Sequence, residues 1–525
     1  MLSLLLAVSV GVAVLVCTSA ARQFRIAPPA LLLLAGVLLG FIPALRAAHL
    51  PPEAVLLVFL PVLLYWESFG TSLREIRTNL RAILLLSTVL VAATAAVVAT
   101  AAHLLGMPWG PAWVLGAAVA PTDATAVGVL GRALPRRLAT TLRAESLVND
   151  GTALVIYALA VGVTMGEEHV EFAGVSSRFA LAYLGGVAIG LATAWLSVLV
   201  RRRLGDPFQH NILALATPLA AYLIAEEVEA SGVLAVVVSG LWVSRAAPRL
   251  FSADVRHSVQ TVMGFLTALA NAALFVLVGL EVQAAVRGLT TVGLTQGLVG
   301  VAVASAAVIG VRFAWLFTSP YVIRLVDRRP RQRELRVGAR PRTVMASAGF
   351  RGAVSLAAAL AVPDSMPDRD LIVFVTAGVI AVTLVVQAPL LPRIVRWARV
   401  SDDGEADRER RHAEITAGEE ARNALPALAD QVGADREIAD ELGQEFDRRL
   451  GILREDGPDN GNGARRREAQ DRRLRLAAIA HKHATVVRLR DEGVIDDEVL
   501  QRIQTTLDVE EVQIRHHNFG DHTGS

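Results

Sequence analysis

Residues 140–155 read TTLRAESLVNDGTALV, and this stretch determines how the rest of the chain is interpreted. It lies within an apolar segment, yet it carries charged groups that include Glu145 and Asp150. The preceding apolar segment contains a second polar stretch, Pro121-Thr122-Asp123. A charged side chain at the centre of a bilayer costs about 2.5–3.5 kcal/mol on insertion scales. Acidic groups in two neighbouring membrane-length segments therefore indicate a functional site.

The composition separates the chain into two parts. Of the 525 residues, 53% are hydrophobic and only 19% are charged, which indicates a polytopic membrane protein. Residues 1–400 carry 32 Lys and Arg against 20 Asp and Glu, whereas residues 401–525 carry 19 against 29. The net charges are thus +12 and −10. We predict an all-α transmembrane domain over residues 1–395 and a soluble, helical cytoplasmic tail over residues 396–525.

Thirteen apolar stretches are candidates for crossing a bilayer, which needs roughly 20 residues. They lie near 2–20, 27–45, 52–70, 82–104, 108–131, 138–164, 176–200, 209–226, 231–245, 260–282, 292–322, 343–362 and 371–392. Arginine is concentrated in alternate loops between them, and the positive-inside rule assigns such loops to the cytoplasm. We therefore expect a multi-pass protein of the plasma membrane, with its N-terminus outside and its tail in the cytoplasm.

The number thirteen predicts an internal symmetry. If spans 1–6 and 8–13 are similar halves, corresponding spans are seven positions apart. Because seven is odd, the two halves would run through the membrane in opposite directions, as two inverted six-helix repeats of the kind common in secondary transporters. Span 5 then corresponds to span 12. Pro121 in span 5 and Gly349-Phe350-Arg351-Gly352 in span 12 both weaken a helix. We expect two broken helices that cross at the membrane midplane.

The polar residues of spans 5 and 6 form a candidate cation site. Ser146 and Asp150 are four residues apart and therefore lie on one face of a helix. If Pro121 opens span 5, the carbonyl of Thr122 and the side chain of Asp123 add further oxygen atoms. Such ligands suit a hard cation such as Na+, whereas zinc or copper would require His or Cys. The alternatives are that Asp150 pairs with an arginine for structure and that Asp123 caps a half-helix.

Glu145 and Asn149 lie on an adjoining face of the same helix. A buried unpaired charge is costly, so Glu145 needs a cationic partner. Arg312 in span 11 and Arg351 in span 12 are the candidates for this structural ion pair. Asn149, in contrast, is neutral and places no second carboxylate beside Asp150.

Three motifs follow one another in a characteristic order. They read PTDATAV at 121–127, ESLVNDG at 145–151 and GFRGAVSL at 349–356. With smaller matches at 231–236, 271–281 and 311–313, they cover roughly residues 50–395. These motifs resemble the sodium/proton antiporters of the cation:proton antiporter-1 family, in which they are quite specific.

The resemblance implies thirteen spans in two inverted repeats, a dimer-forming domain and a core domain that moves. It also implies exchange of Na+, often Li+ and in some members K+, for H+. Asp150 matches the aspartate that binds the ion and the proton, and Glu145 matches the acid that pairs with the arginine of span 11, here Arg312. The other matched site residues are Thr122, Asp123, Ser146 and Asn149. Members with Asn-Asp at this place are generally electroneutral.

One position departs from the family. Its members carry an acid in span 3, usually five residues after a proline. Here Trp66 stands five residues after Pro61, and Glu67 follows it. A shift of one residue turns a helical side chain by about 100°. Glu67 is therefore a candidate site residue in an altered register.

We expect a homodimeric secondary antiporter that exchanges Na+ or Li+ for H+, uses no cofactor, binds no nucleic acid and is not an enzyme. A buried carboxylate can hold a proton or Na+ but not both, and only charge-compensated states cross the membrane easily. This competition gives alternating access at a shared aspartate. The alternatives are a K+/H+ antiporter of the same fold, a cation channel without proton coupling, and an intramembrane aspartyl protease, whose Gly-x-Gly-Asp context neither acid has.

Overall fold

Apolar stretches of this length form helices because a bilayer offers no partners for backbone N–H and C=O groups. In the computed structural model, all regular structure among the described residues is helical. The structure describes residues 2–24, 28–43, 55–71, 83–123, 136–166, 172–288, 293–326, 338–399, 405–455 and 462–492, with isolated positions in 73–77 and 503–514.

The first part of the chain forms eleven helices within the described residues. They are α1 (Leu2–Phe24), α2 (Pro28–Leu39), α3 (Leu60–Phe69), α4 (Leu90–Leu104), α5 (Trp109–Val119), α6 (Arg136–Thr164), α7 (Phe172–Arg201), α8 (Pro207–Glu227), α9 (Gly232–Leu250), α10 (Ala253–Gly288) and α11 (Leu294–Val326). Two short helices follow, α12 (Ala339–Ser347) and α13 (Ala353–Leu360), and then α14 (Arg369–Val382) and α15 (Ala388–Ala398). The helices of the tail are α16 (Glu405–Val432), α17 (Arg436–Glu455) and α18 (Asn462–Asp491).

Eight helical stretches among the described residues are long and apolar enough to cross a membrane. They are Leu85–Leu104, Leu138–Thr164, Ala180–Arg201, Pro207–Glu227, Gly232–Leu250, Ala253–Arg287, Leu294–Tyr321 and Arg369–Ala398. Four shorter apolar helices lie in α1, α2, α3 and α5. Each predicted stretch coincides with a helix or a pair of helices, although parts near 44–54 and 124–135 lie outside the described residues. The exact number of crossings and the inverted repeats stay predictions.

The chain divides into two compact units, Met1–Ser401 and Asp402–Ser525. Helix α15 extends to Ala398, three residues beyond the boundary predicted at 395. The second unit contains α16, α17 and α18, in which Leu450 and Ile479 are buried. Helices α16 and α17 pack together, and Arg422 and Asp447 form a salt bridge of 3.0 Å between them.

Helix α6, which contains residues 140–155, has a central position in the first unit. It packs against α3, α4, α5, α9, α12 and α13. Its carboxyl-terminal half, including Tyr157 and Val161, packs against an apolar cluster that joins α4, α5, α11 and α14. Apolar packing therefore encloses the polar middle of α6 on several sides.

Two breaks in helical structure meet beside α6. Helix α5 ends at Val119, where Pro121 removes a backbone donor and restricts the residue before it. Helices α12 and α13 are separated at 348–352, as the glycines predict. The backbone N–H of Asp123 donates to the carbonyl of Phe350 at 2.8 Å, which ties the breaks together. A Cβ at Gly352 would overlap the Asp123 carboxylate, so this close approach requires glycine.

A π-helical turn, Thr383–Gln387, joins α14 to α15 and faces the second break. The hydroxyl of Thr383 accepts the backbone N–H of Arg351 at 3.2 Å, and the side-chain amide of Gln387 donates to the carbonyl of Ser347 at 2.8 Å. Such turns occur frequently at functional sites. Here the turn supplies partners for backbone groups that the broken helix leaves unpaired.

Candidate ion-binding site

The first break and α6 are joined by hydrogen bonds at Thr122. The side-chain amide of Asn149 donates to the Thr122 hydroxyl at 2.7 Å and approaches its carbonyl at 3.5 Å. The same hydroxyl donates to a Glu145 oxygen at 3.4 Å. Because Glu145 and Asn149 are one helical turn apart, both reach one threonine, and all three are buried.

Glu145 is paired with Arg312 of α11. The guanidinium group donates to both carboxylate oxygens, at 2.5 Å and 3.1 Å, and its Nε donates to the carbonyl of Met345 at 3.2 Å. Both side chains are almost fully buried, with 2% of Arg312 and 1% of Glu145 exposed. Such bidentate arginine–carboxylate pairs are among the strongest charge-assisted hydrogen bonds in proteins. The pair fixes α6 to α11 and to the end of α12.

Arg351, the second candidate partner of Glu145, has a different position. It lies within electrostatic range of Glu145 but forms no salt bridge with it in the described structure. Its guanidinium group donates to the carbonyls of Val119 at 2.9 Å, Ala120 at 3.3 Å and Gly349 at 2.5 Å. Of the two candidate partners, Glu145 therefore pairs with Arg312, and the inclusion of Arg351 in this ion pair is corrected. A cation at the carboxyl end of α5 opposes the negative end of the helix dipole and satisfies carbonyls that the break exposes.

Asp150 is buried, with 4% of its surface exposed. In the part of the chain that the structure describes, its carboxylate has neither a salt bridge nor a hydrogen bond. The carboxylates of Asp123 and Glu67 lie within electrostatic range of it. Asp150 therefore differs from Glu145 on the same helix, whose charge is neutralised by an arginine.

The structure brings Glu67 towards the site despite its altered register. Its carboxylate lies within electrostatic range of Asp123 and of Arg143 on α6. Trp66, which occupies the position of the family's acid, instead stacks on Phe69 at a centroid distance of 5.4 Å. In the register of α3, Glu67 therefore interacts with charged groups of the first break and of α6, and Trp66 stacks within its own helix.

Several oxygen atoms near Asp150 could serve a cation. Ser146 is buried one helical turn before Asp150. The side-chain oxygen of Asn149, the sequence neighbour of Asp150, is buried and has no hydrogen-bond partner within the described residues. In α13, which packs against α6, the buried hydroxyl of Ser355 also has no partner there. Within the described residues, no group of three or more His, Cys, Asp and Glu side chains could hold a metal ion. A cation here would therefore depend on hydroxyl and amide oxygens as well as on carboxylates.

Thr383 and Gln387, which hold the second break in place, are not among the residues predicted from the sequence. They are two polar residues four positions apart within the apolar stretch 371–392. That spacing was the available signal, because it puts both side chains on one helical face. It does not reveal the π-helical turn that directs them to Arg351 and Ser347.

Comparison with known proteins agrees with this geometry. A family model described as "Sodium/hydrogen exchanger, transmembrane" matches residues 10–397. The uncharacterized Na+/H+ exchanger Rv2287 of Mycobacterium tuberculosis is 41% identical over 520 residues, covering 97% of this chain and 96% of the relative. The uncharacterized Na+/H+ exchanger YjcE of Escherichia coli is 29% identical over 530 residues, covering 94% and 95%.

A solved structure is also similar to this chain. The sodium proton antiporter MjNhaP1 of Methanocaldococcus jannaschii, determined at pH 8, superposes with a TM-score of 0.60 at 19% identity. The match covers 76% of this chain and 100% of that one, which supports the all-α antiporter fold. Together with the match over residues 10–397, these similarities identify the chain as a member of the sodium/hydrogen exchanger family.

Proposed function

We propose that this protein exchanges Na+ for H+ across the plasma membrane and that Asp150 holds either ion. The observation that carries the proposal is the contrast between two buried acids of α6. Glu145 has Arg312 as its counter-charge, whereas Asp150 has no paired cation in the described structure. A buried carboxylate without a counter-charge is strongly disfavoured, so it must bind a proton or a metal cation. Competition between the two ions at one group produces exchange.

The surrounding oxygen atoms favour Na+ as the metal cation. Carboxylates at Asp123 and Asp150 supply charge, and neutral oxygens come from Thr122, Ser146 and Asn149. All are hard ligands, the type that alkali and alkaline-earth cations prefer. The same oxygens would also accept Li+ or K+, so a K+/H+ antiporter is the alternative that the test below must separate.

The charge balance supports a 1:1 exchange. Among the described residues, the charged groups that interact around the site are the acids Glu67, Asp123, Glu145 and Asp150 and the arginines Arg143, Arg312 and Arg351. Asn149, the neighbour of Asp150, is neutral, so no second carboxylate at this place carries an extra proton, and one Na+ or one H+ neutralises Asp150. Both loaded states then have the same charge, which is the condition for electroneutral exchange. The neutral side chain of Asn149 contributes to this balance.

The transport cycle requires alternating access to the site. We propose that, within residues 1–395, a core domain moves against a dimer-forming domain, in a homodimer whose tail, from residue 396, is cytoplasmic. Two breaks joined by the Asp123–Phe350 hydrogen bond support this view, because half-helices can shift without unfolding a continuous span. Only states loaded with Na+ or H+ would cross, since an uncompensated carboxylate faces a large barrier.

The decisive experiment reconstitutes the protein in vesicles with an acidic interior and follows the internal pH after Na+ is added. The wild type should release the pH gradient, and Asp150→Asn should not. Asp254→Asn, at an exposed position at the start of α10, is the matched control and should behave as the wild type. Full release by Asp150→Asn would contradict the assignment of the site.

Ion selectivity and stoichiometry are tested in the same vesicles. Li+ and K+ replace Na+ in parallel, and choline is the negative control. A response to K+ but not to Na+ would favour the alternative antiporter, and an equal response to choline would exclude cation exchange. The rate should be independent of an imposed membrane potential, because 1:1 exchange moves no net charge. Cation flux without proton movement would identify a channel.

A further inference from the structure

A cluster of arginines lines a cavity at the end of α15, away from the ion site. The cavity has a volume of about 580 Å³. Its lining residues, which we call the arginine pocket, are Arg340, Arg393, Arg396, Trp397 and Arg399. Within the described residues, none of the four guanidinium groups forms a salt bridge. The four positive charges therefore share one cavity without a carboxylate partner in the described chain.

The local backbone adds to this positive charge. Arg340 lies in the first turn of α12, where Gly338 provides no side-chain cap and no acidic residue is present. The amino end of a helix carries a partial positive charge and unpaired N–H groups, so an arginine there has the unfavourable sign. Arg342 in the same turn is buried, and its Nε has no hydrogen-bond partner. An anion would compensate both the helix end and the arginines.

The position of the pocket favours an anion that belongs to the membrane. Helix α15 is the last part of the apolar stretch Arg369–Ala398, and four of the five pocket residues lie in its second half or directly after it. Trp397 is 60% exposed, and on the same helix Leu390 is 43% exposed. Tryptophan is enriched where the hydrocarbon region meets the headgroups, and apolar side chains facing outwards suit acyl chains. A soluble phosphate would make no use of these apolar contacts.

We propose that the arginine pocket binds the phosphate of an anionic phospholipid, with the lipid headgroup between α12 and α15. Basic pockets between helices on the cytoplasmic side are suited to such headgroups. The site connects directly to the second break, because α12 ends at Ser347 and α15 follows the turn that holds Ser347 and Arg351. A bound lipid would therefore hold together the two helices that position this break.

The test measures lipid binding by the full-length protein in neutral detergent. Thermal stabilisation is titrated with short-chain phosphatidylglycerol, short-chain phosphatidylcholine or inorganic phosphate. The test variant is Arg393→Gln/Arg396→Gln, and the matched control is Arg245→Gln/Arg249→Gln, which removes two exposed arginines at the end of α9. Each arginine near an anionic lipid contributes about fivefold to affinity, so the test variant should bind phosphatidylglycerol about 25-fold more weakly.

Wild type and control should have equal affinity for phosphatidylglycerol and should bind phosphatidylcholine more weakly. Equal phosphatidylglycerol affinity in the test variant and the control would overturn the site. Binding of inorganic phosphate as tight as that of phosphatidylglycerol would overturn the lipid assignment, and so would equal binding of phosphatidylcholine. If the test variant does not fold, wild type is titrated at about 1 M salt, where screening should abolish the preference for phosphatidylglycerol. A preference that persists there would also overturn the proposal.

Discussion

Breaking the Glu145–Arg312 pair should destabilise the first unit severely. The pair is joined by two hydrogen bonds, at 2.5 Å and 3.1 Å, and both side chains are at most 2% exposed. Among the described residues, Glu145→Leu would leave buried Arg312 with the Met345 carbonyl as its one hydrogen-bond partner. Arg312→Met would leave the Glu145 carboxylate with the Thr122 hydroxyl at 3.4 Å. Either change leaves a buried charge without its partner, for which we expect the free energy of unfolding to fall by about 3–5 kcal/mol.

The double replacement Glu145→Leu/Arg312→Met removes both charges together. No buried charge is then left unpaired, so the double variant should be more stable than either single variant. Unfolding in mixed detergent micelles, followed by tryptophan fluorescence, gives the four free energies of a double-mutant cycle. Asp364→Asn is the control, because it breaks an exposed pair with Arg369 at 3.3 Å in which Asp364 is 97% exposed. That change should cost at most about 1 kcal/mol.

Additive effects of the two replacements would refute this reasoning, since additivity means that the charges do not interact. A loss in Glu145→Leu no larger than that in Asp364→Asn would refute it as well. A double variant that is stable but inactive in exchange would show that the pair also shapes the ion site.

Three further outcomes follow from the geometry. Gly352→Ala should abolish Na+-dependent proton release while the protein still folds, because the new methyl group overlaps the Asp123 carboxylate; unchanged release would contradict this close approach. Thr122→Val should lower the free energy of unfolding by about 1–3 kcal/mol and weaken Na+ binding, because the buried side-chain amide of Asn149 loses its hydroxyl acceptor. Thr122→Ser keeps the hydroxyl and should retain both stability and Na+ binding. Thermal unfolding and Na+ titration measure these effects. In the tail, the hydrogen bond from Arg422 lowers the pKa of Asp447. The pair therefore stabilises the folded tail at pH values above the ordinary carboxyl pKa, and this stabilisation is lost as the pH falls through the lowered value. Asp447→Asn should reduce the small difference in Tm between about pH 6 and about pH 3, and an unchanged difference would exclude this contribution.

The helices were predictable from the sequence because the membrane constrains them so strongly. A segment that must satisfy its backbone internally forms a helix wherever about twenty apolar residues follow one another. The break after α5 was visible in Pro121, and the break between α12 and α13 was visible in Gly349 and Gly352. The helical spacing in 140–155 likewise placed Glu145 and Asn149 on one face of a helix. Both side chains form a hydrogen bond with Thr122.

Long-range partners were less predictable, because sequence spacing carries no information on which distant side chain a buried charge meets. Two arginines were candidates for Glu145, and chemistry alone did not separate them. The structure separates them because Arg351 lies at the carboxyl end of α5, where its guanidinium group donates to backbone carbonyls. The register of Glu67 had the same limitation, because Trp66 and Glu67 are neighbours in sequence and only the packed structure shows that Glu67 lies within electrostatic range of Asp123 and Arg143.

The sequence distance between charged partners has a consequence for how the protein is made. Glu145 and Arg312 are 167 positions apart, and Arg351 is 232 positions after the Val119 carbonyl that it contacts. At about 5–20 residues per second, the ribosome needs roughly 10–30 s to reach Arg312 after Glu145 has been synthesised. During biosynthesis, α6 therefore leaves the ribosome before its counter-charge exists. We expect full integration of this helix to wait for α11, so that nascent chains ending before residue 312 should remain with the insertion machinery or be degraded.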